Sequence, residues 1–351
     1  MKRFLVLGAC WASLALGVTV KTVTVKSSGG DYTSLQGAIT GEVATNADLV
    51  AGDIQLNIAC YAMSDTTAAD VDGFTTDATR YVRIYAPTGE RHTGKWDTAK
   101  YRLEVTDAAP LHINDKYVRV DGIQVRIVLP TSGLFGIHVA AGANAGVIVL
   151  SNCIIRGGGG ESGINGGIYA EYGETYIYNC IMYDMGGHAN SSGISVWGTT
   201  VYVYSTTIVG SGESAGIVRW DGTAICKNTY SSGQATRAYS GTITKTTCAS
   251  LDETGSAGLW NIATSVANFA NVTAGSEDFR LPLGSALIDV GTDTSGESAP
   301  LNFTTDIEGQ TRTGTWDVGA DEYVASAVRR RIIIMALAEL GLHSTRWMGR
   351  R

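Results

Sequence analysis

The chain has 351 residues, of which 44 are glycine and 5 proline; 17 % are charged and the net charge is −7. A pI near 5.3 excludes binding to nucleic acid through its phosphates. Abundant Gly, Thr, Ser, Val and Ile with few charges reads as a β-rich protein with many tight turns. Six widely spaced cysteines (Cys10, Cys60, Cys153, Cys180, Cys226 and Cys248) form no CxxC pair, which excludes the common zinc modules. No cofactor is expected.

In chain order, Lys2-Arg3 precede an apolar run from Phe4 to Gly17, with Ala15-Leu16-Gly17 at a plausible cleavage point. This is the pattern of a secretory signal; an uncleaved apolar arm is the alternative. Residues 1–20 are set apart on this ground. Asp31 to Ile39 reads as a short helix, with Thr33 and Gln36 at capping-box spacing. Leu35, Ala38 and Ile39 would share one face and plug the end of a core. Residues 41–116 are irregular and form the first wide coils. Within them Asp70-Val-Asp72-Gly73 matches part of a calcium loop but lacks the spacing to a bidentate glutamate, so a polar turn is the ordinary account of Asp70 and Asp72.

Repeats then settle the architecture. Val149-Leu-Ser-Asn152, Tyr176-Ile-Tyr-Asn179, Tyr202-Val-Tyr-Ser205 and Ala224-Ile-Cys-Lys227 superpose at intervals of 27, 26 and 22 residues, and Val118-Arg-Val-Asp121 extends the series backwards by 31. A second set keeps pace: Gly136-Ile-His-Val, Gly167-Ile-Tyr-Ala, Gly193-Ile-Ser-Val and Gly216-Ile-Val-Arg. A period of roughly 20–30 residues with short alternating strands means a solenoid. The expected fold is all-β: one right-handed parallel β-helix over residues 21–323.

Alternation assigns faces. Leu150, Ile177, Val203 and Ile225 are expected inside. Ser151, Tyr178, Tyr204 and Cys226, and likewise Val149, Tyr176, Tyr202 and Ala224, are expected outside. Asn152 and Asn179 sit at a bend where equivalent side chains form a ladder, continued by Ser205 and Lys227. Cys153 and Cys180 follow them as small buried residues. On the outside, Tyr176 lies beside Tyr202 and Tyr178 beside Tyr204, with Trp197 and Trp220 near the ends of the companion strands. Aromatics at this density bind something: a glycan, a second protomer, or a covering segment of the same chain.

Carboxylates in the coil loops (Glu161, Glu171, Glu174, Asp184, Glu213 and Asp221) are candidates for an acid pair, of which Glu171, Glu174 and Asp184 are the foremost. His188, beside Asp184, is a candidate acid or base. The ordinary account of each is a solvated loop residue. From Leu251 the repeats degrade. After Tyr323, Arg329-Arg-Arg, an apolar stretch Ile332 to Leu342, and Arg350-Arg351 make residues 324–351 a basic tail, a short helix at best and too short to span a bilayer.

Three stretches carry a family resemblance. Lys26-Ser-Ser-Gly-Gly-Asp31 through Ile39 resembles the opening of many right-handed parallel β-helix proteins, including pectin esterases. Thr75 to Tyr85 followed by Trp96 to Leu103 resembles β-helix proteins of tailed phages and uncultured bacteria. Asp278 to Gly291, with Asp306-Ile-Glu-Gly-Gln310 and Asp317 to Tyr323, resembles the closing module of secreted bacterial β-helix proteins. The resemblance is specific for fold and weak for activity. The Gln-Asp-Thr motif of pectin esterases and the Asp-Asp pair of polygalacturonases are missing, Gly187-His188-Ala189 matches the Gly-His-Gly of the latter only in part, and no acidic cluster resembles that of pectate lyases. A non-enzymatic structural or adhesive protein is therefore expected, displayed on a virion or secreted to a cell surface. Its expected partners are further copies of itself (a trimer is the state the resemblance implies), other virion or surface proteins, and a surface polysaccharide. A polysaccharide lyase or glycoside hydrolase is the alternative.

Overall fold

The computed structural model describes residues 17–128, 133–140, 146–158, 165–185, 191–210, 215–233, 237–259, 261–262 and 265–325. These build a parallel β-helix in which each regular coil lays one short strand in each of three sheets. One sheet has nine strands, one eight and one seven, and every pair within them is parallel. The coils advance in strict register: Val118, Ile148, Thr175 and Val201 pair in turn, as do Val120, Leu150, Ile177 and Val203. Because strand side chains alternate, register alone decides what is buried. Val120, Leu150, Ile177 and Val203 stack inside from the nine-stranded sheet, Val125, Ile155, Met182 and Ile208 from the eight-stranded, and Leu111, Ile137, Ile168, Ile194 and Ile217 from the seven-stranded.

The third strand of each coil is only three residues long, as in Ile154–Arg156, Ile181–Tyr183 and Thr207–Val209. Such a strand has too few alternations to register as a pattern, so the sequence shows two strands per repeat where the chain forms three. The glycines that open the second repeat have a packing reason. A Cβ on Gly193 would lie 2.6 Å from Ile208 Cγ2 and 2.7 Å from the Gly216 carbonyl.

The fourth repeat sits one residue later than the sequence places it. Val203 pairs with Cys226 and Tyr204 with Lys227, so Cys226 and Ala224 are buried while Ile225 faces outward. Asn228, not Lys227, occupies the bend. Ile225 and Cys226 are both apolar, so alternation tolerates either frame; the left-handed bend decides. Asn152, Asn179, Ser205, Asn228 and Thr247 all have φ between +44° and +54°, a region Asn enters most easily among non-glycine residues. The next side chain in each coil (Cys153, Cys180, Thr206, Thr229, Cys248) reaches back to the carbonyl two residues before it, at 3.0–3.5 Å. Asn179 Nδ2 donates to Asn152 Oδ1 at 3.3 Å. The five described cysteines are buried and free.

The first strand, Thr19–Val25, begins just ahead of the boundary placed at 21. The capping helix runs Leu35–Asn46, and its cap is Ser34 rather than Thr33: the hydroxyl accepts from Gly37 N at 3.0 Å. Leu35, Ala38 and Ile39 are buried against the first coils, as does Glu42, whose carboxylate is met by Lys21 (2.6 Å) and the Tyr32 hydroxyl (3.0 Å). At the other end, residues 265–325 fold over the outer face of the eight-stranded sheet. Ile154, Ile181, Tyr183, Val209 and Tyr230 there form a second core with Phe269, Phe279, Leu287, Ile307 and Val318.

Candidate functional site

The closing segment leaves two outer surfaces that carry chemistry. The first belongs to the seven-stranded sheet, whose outward column reads Asp70, His112, His138, Tyr169, Ser195 in successive coils. Asn114 Nδ2 donates to Asp70 Oδ1 (2.9 Å) and to His112 Nδ1 (3.0 Å). This leaves His112 Nε2 as donor to His138 Nδ1 (2.9 Å), and His138 Nε2 as donor to Glu171 Oε2 (3.2 Å). Every hydrogen in the chain has one partner when both imidazoles are neutral. Burial lowers the pKa of His138, its bond to Glu171 opposes the shift, and the neighbouring His112 ring adds to the lowering. His138, Tyr169 and Phe135 stack in a file, with centroids 4.9 Å apart at each step.

Immediately after these strands the chain turns toward the nine-stranded sheet, and the turn residues are Glu171-Tyr172, Trp197-Gly198 and Trp220-Asp221. Val196 and Arg219 pair in register, so the two indoles occupy equivalent places about 4.8 Å apart along the axis. Trp197 is 49 % and Trp220 55 % exposed. Beside them a shallow depression of about 340 Å³ is floored by glycine turns and edged by Tyr172, Glu174 and Thr199.

The expected tyrosine column is on the outer face of the nine-stranded sheet, but its rings are turned to each other. Tyr176 and Tyr202 stack at 4.8 Å with an interplanar angle of 5°, and burial together with bonds to Glu174 raises both phenols. Tyr178 and Tyr204 pair in register, yet the ring partner of Tyr178 is Phe303 of the closing segment, at 4.7 Å and 4°. Tyr204 is buried, with Lys227 over its ring at 5.3 Å. Covering by the chain's own later residues is thus what became of Tyr178 and Tyr204.

The acidic candidates are dispersed. Glu171 ends the histidine chain, Glu174 serves tyrosine hydroxyls, and Asp184 is bound by Arg156 at 3.2 Å. Asp70 caps the histidine chain and Asp72 is exposed near it. Asp221 is exposed. His188, Glu161 and Glu213 lie outside the described residues. Carboxyl groups that do cluster were not singled out from the sequence: Asp306, Glu308 and Asp321 hold oxygens within 4.8 Å of one another. Burial raises the pKa of all three, and repulsion by Asp306 adds to it at Glu308 and Asp321. By donor type they can hold a hard cation, but their oxygens are occupied in stapling the closing segment. Asp306 accepts from Gln310 N (2.7 Å) and Glu322 N (3.1 Å), and Asp321 from Leu281 N (2.7 Å). These acids lie within the sequence motifs of the closing module, which accordingly read as structural.

Sequence reasoning also missed His112, His138 and Tyr169 as neighbours. Their signal was present: His138, Tyr169 and Ser195 fill the third position of the Gly-Ile-X repeat.

No family model matches the sequence, and no curated protein does. Two solved structures of the pectin methylesterase from Aspergillus niger are similar in fold. The deglycosylated form shares 13 % identity over 64 % of this chain and 85 % of its own, with a TM-score of 0.39. The penultimately deglycosylated form, with an N-acetylglucosamine stub, shares 12 % over 73 % and 91 %, with a TM-score of 0.41. Likeness at this level carries no argument about activity.

Proposed function

We propose that this protein is a non-catalytic, glycan-binding β-helix displayed on a virion or cell surface as a homotrimer. One observation carries the glycan reading: Trp197 and Trp220 stand at equivalent turns with half their surface exposed. Indole faces pack on the C–H faces of sugar rings, and the nearby hydroxyl and carboxylate groups of Thr199, Glu174 and Asp221 suit sugar hydroxyls. The tying of Glu171, Glu174 and Asp184 to His138, tyrosine and Arg156 supports a role without acid–base catalysis, because a general acid or base needs a free site facing the substrate.

The test is binding of the purified chain to a panel of surface polysaccharides, compared with a Trp197→Ala/Trp220→Ala double variant. At least a ten-fold loss of affinity in the double variant is expected. Unchanged binding would overturn the site, and release of new reducing ends from a bound polysaccharide would overturn the non-catalytic reading. Light scattering in solution checks the assembly: three chains of 36.9 kDa each are expected, and a monomer sinks the trimer.

A further inference from the structure

A second surface, on the nine-stranded sheet, points to a different ligand. Between the outer faces of its early strands and the segment 299–303 lies a groove of about 390 Å³. Its walls are Tyr81, Tyr117, Tyr178, Pro300 and Phe303, with Val149 among the lining residues. The cation in it is Arg119. Its guanidinium lies 3.9 Å over the Tyr81 ring, and Nη1 donates to the Tyr81 hydroxyl at 3.2 Å.

What sets Arg119 apart is the fate of its neighbours. Arg83 precedes it in the same outward column, and both Arg83 (2.9 Å) and Arg91 (2.8 Å) are held by Asp121. Asp121 has no further share to give, since Asn152 and Ser151 also donate to it. The residue after Arg119 in the column is Val149, and the one after that Tyr176. Among the described residues Arg119 therefore forms no ion pair. A guanidinium fixed on an aromatic ring, in a groove with apolar walls and no carboxylate opposite, concentrates its field on whatever enters. Its planar fork suits a carboxylate or sulfate, which it can meet with two donors.

We propose that this groove binds an anionic saccharide: Arg119 takes the oxygens of a carboxylate or sulfate, and the tyrosine, phenylalanine and proline carbons pack against the sugar ring. The site stands apart from Trp197 and Trp220, so either can fail without the other. Phe303 and Pro300 come from the closing segment, which makes the groove a product of the docked segment and absent from the coils alone.

The test is calorimetric titration of the full chain with three oligosaccharides of equal length: one bearing hexuronate, one bearing sulfate, and a neutral one. At least one charged form is expected to bind ten-fold or more tighter than the neutral form, with the preference shrinking as salt is raised; which one does so names the anion. Arg119→Ala is expected to erase the preference, and Arg119→Lys to keep part of it as a point charge. Trp197→Ala/Trp220→Ala is expected to leave it intact. Arg119 is exposed and among the described residues forms no ion pair, so these variants keep the fold, and circular dichroism checks that they do. Tyr81→Phe, which frees the guanidinium from its hydroxyl partner, is expected to weaken the charged ligand two- to five-fold. Equal affinity for charged and neutral forms, no binding of any of the three, or an unchanged preference in Arg119→Ala would each overturn the proposal.

Discussion

The regular coils and the closing segment are held together by different forces. Between Val118 and Thr246 the chain repeats one solution: apolar columns inside, parallel ladders between coils, and a left-handed residue at the bend. Residues 265–325 contain one four-residue helix, Ser265–Asn268, and isolated bridges such as Asn271–Asp278 and Thr305–Thr311. Side chains bonded to backbone take the place of ladders there. Arg312, buried completely, pairs with Glu322 (3.2 Å), donates to the carbonyls of Gly319 and Ala320 (3.0 Å each), and reaches Asn179 Oδ1 in the coils at 3.2 Å. Asp317 accepts from Asp289 N at 2.7 Å and also from Tyr323 N. A region that stacks identical units tolerates local loss; one assembled from a single polar network does not.

The sharpest way to break this contrast is Arg312→Ala. It leaves Glu322 buried without its partner, and a cost of about 3–5 kcal/mol is expected. Hydrogen exchange should then rise through residues 279–323 and over the outer face of the eight-stranded sheet, while the inner columns stay protected. Uniform exchange across the whole chain would show that the two regions do not unfold separately.

Ile177→Ala makes the matching cut in the coils and should cost about 2–4 kcal/mol through lost burial and a cavity. Its exchange is expected to rise in the neighbouring coils at Leu150 and Val203 first. A thermal midpoint equal to that of the unaltered chain would contradict the inward column.

Acid should separate the regions in opposite senses. His92 is fully buried, donates Nε2 to the Asn152 carbonyl (2.9 Å) and accepts from Gly94 N (3.3 Å), and burial lowers its pKa to about 3. The unfolded chain binds this proton more readily than the folded one. Its contribution is therefore complete above the ordinary value of 6.5 and is lost at about 1.4 kcal/mol per pH unit as pH falls toward 3. Asp317 runs the other way. Burial raises it to about 6, so the folded chain holds that proton more tightly, and its contribution is present below 3.8 and lost as pH rises through 6. Moving from pH 7 to pH 4 should raise exchange around Asn152 more than around Asp317, and His92→Gln should flatten the profile. An identical pH profile in His92→Gln removes the assignment.

The smallest expected effect lies at the bend. Ser205 holds φ +44° and its buried hydroxyl has no partner among the described residues, whereas Asn179 and Asn228 at equivalent places are bonded to the closing segment. Ser205→Gly should remove both penalties and stabilise by about 1 kcal/mol, read as a rise in thermal midpoint. A fall would mean the hydroxyl has a role the bend does not explain.

Much of the solenoid was legible because its physics is local and repeated. Leu150, Ile177 and Val203 alternate with polar or aromatic neighbours, and Asn152 and Asn179 mark the same bend. The frame failed at the fourth repeat, where Ile225 and Cys226 suit either face and the left-handed bend at Asn228 sets their pairing with Tyr202 and Val203. Trp197 and Trp220 were legible as surface residues because each directly follows a recognisable strand. His112 and His138 were not legible as partners, since nothing local relates residues in different coils until register sets them side by side. Nor could the sequence show that Tyr178 would stack on Phe303, or that Arg119 would face a groove.

By itself, then, the sequence determined the β-helix, most of its inward columns and the capping helix, because each follows from a period or a local spacing. The tertiary structure decided the histidine chain, the aromatic groove and the fate of the tyrosine column. Those depend on where successive coils, or coils and the closing segment, meet, and a contact between residues a whole coil or more apart leaves no mark in the pattern on either side.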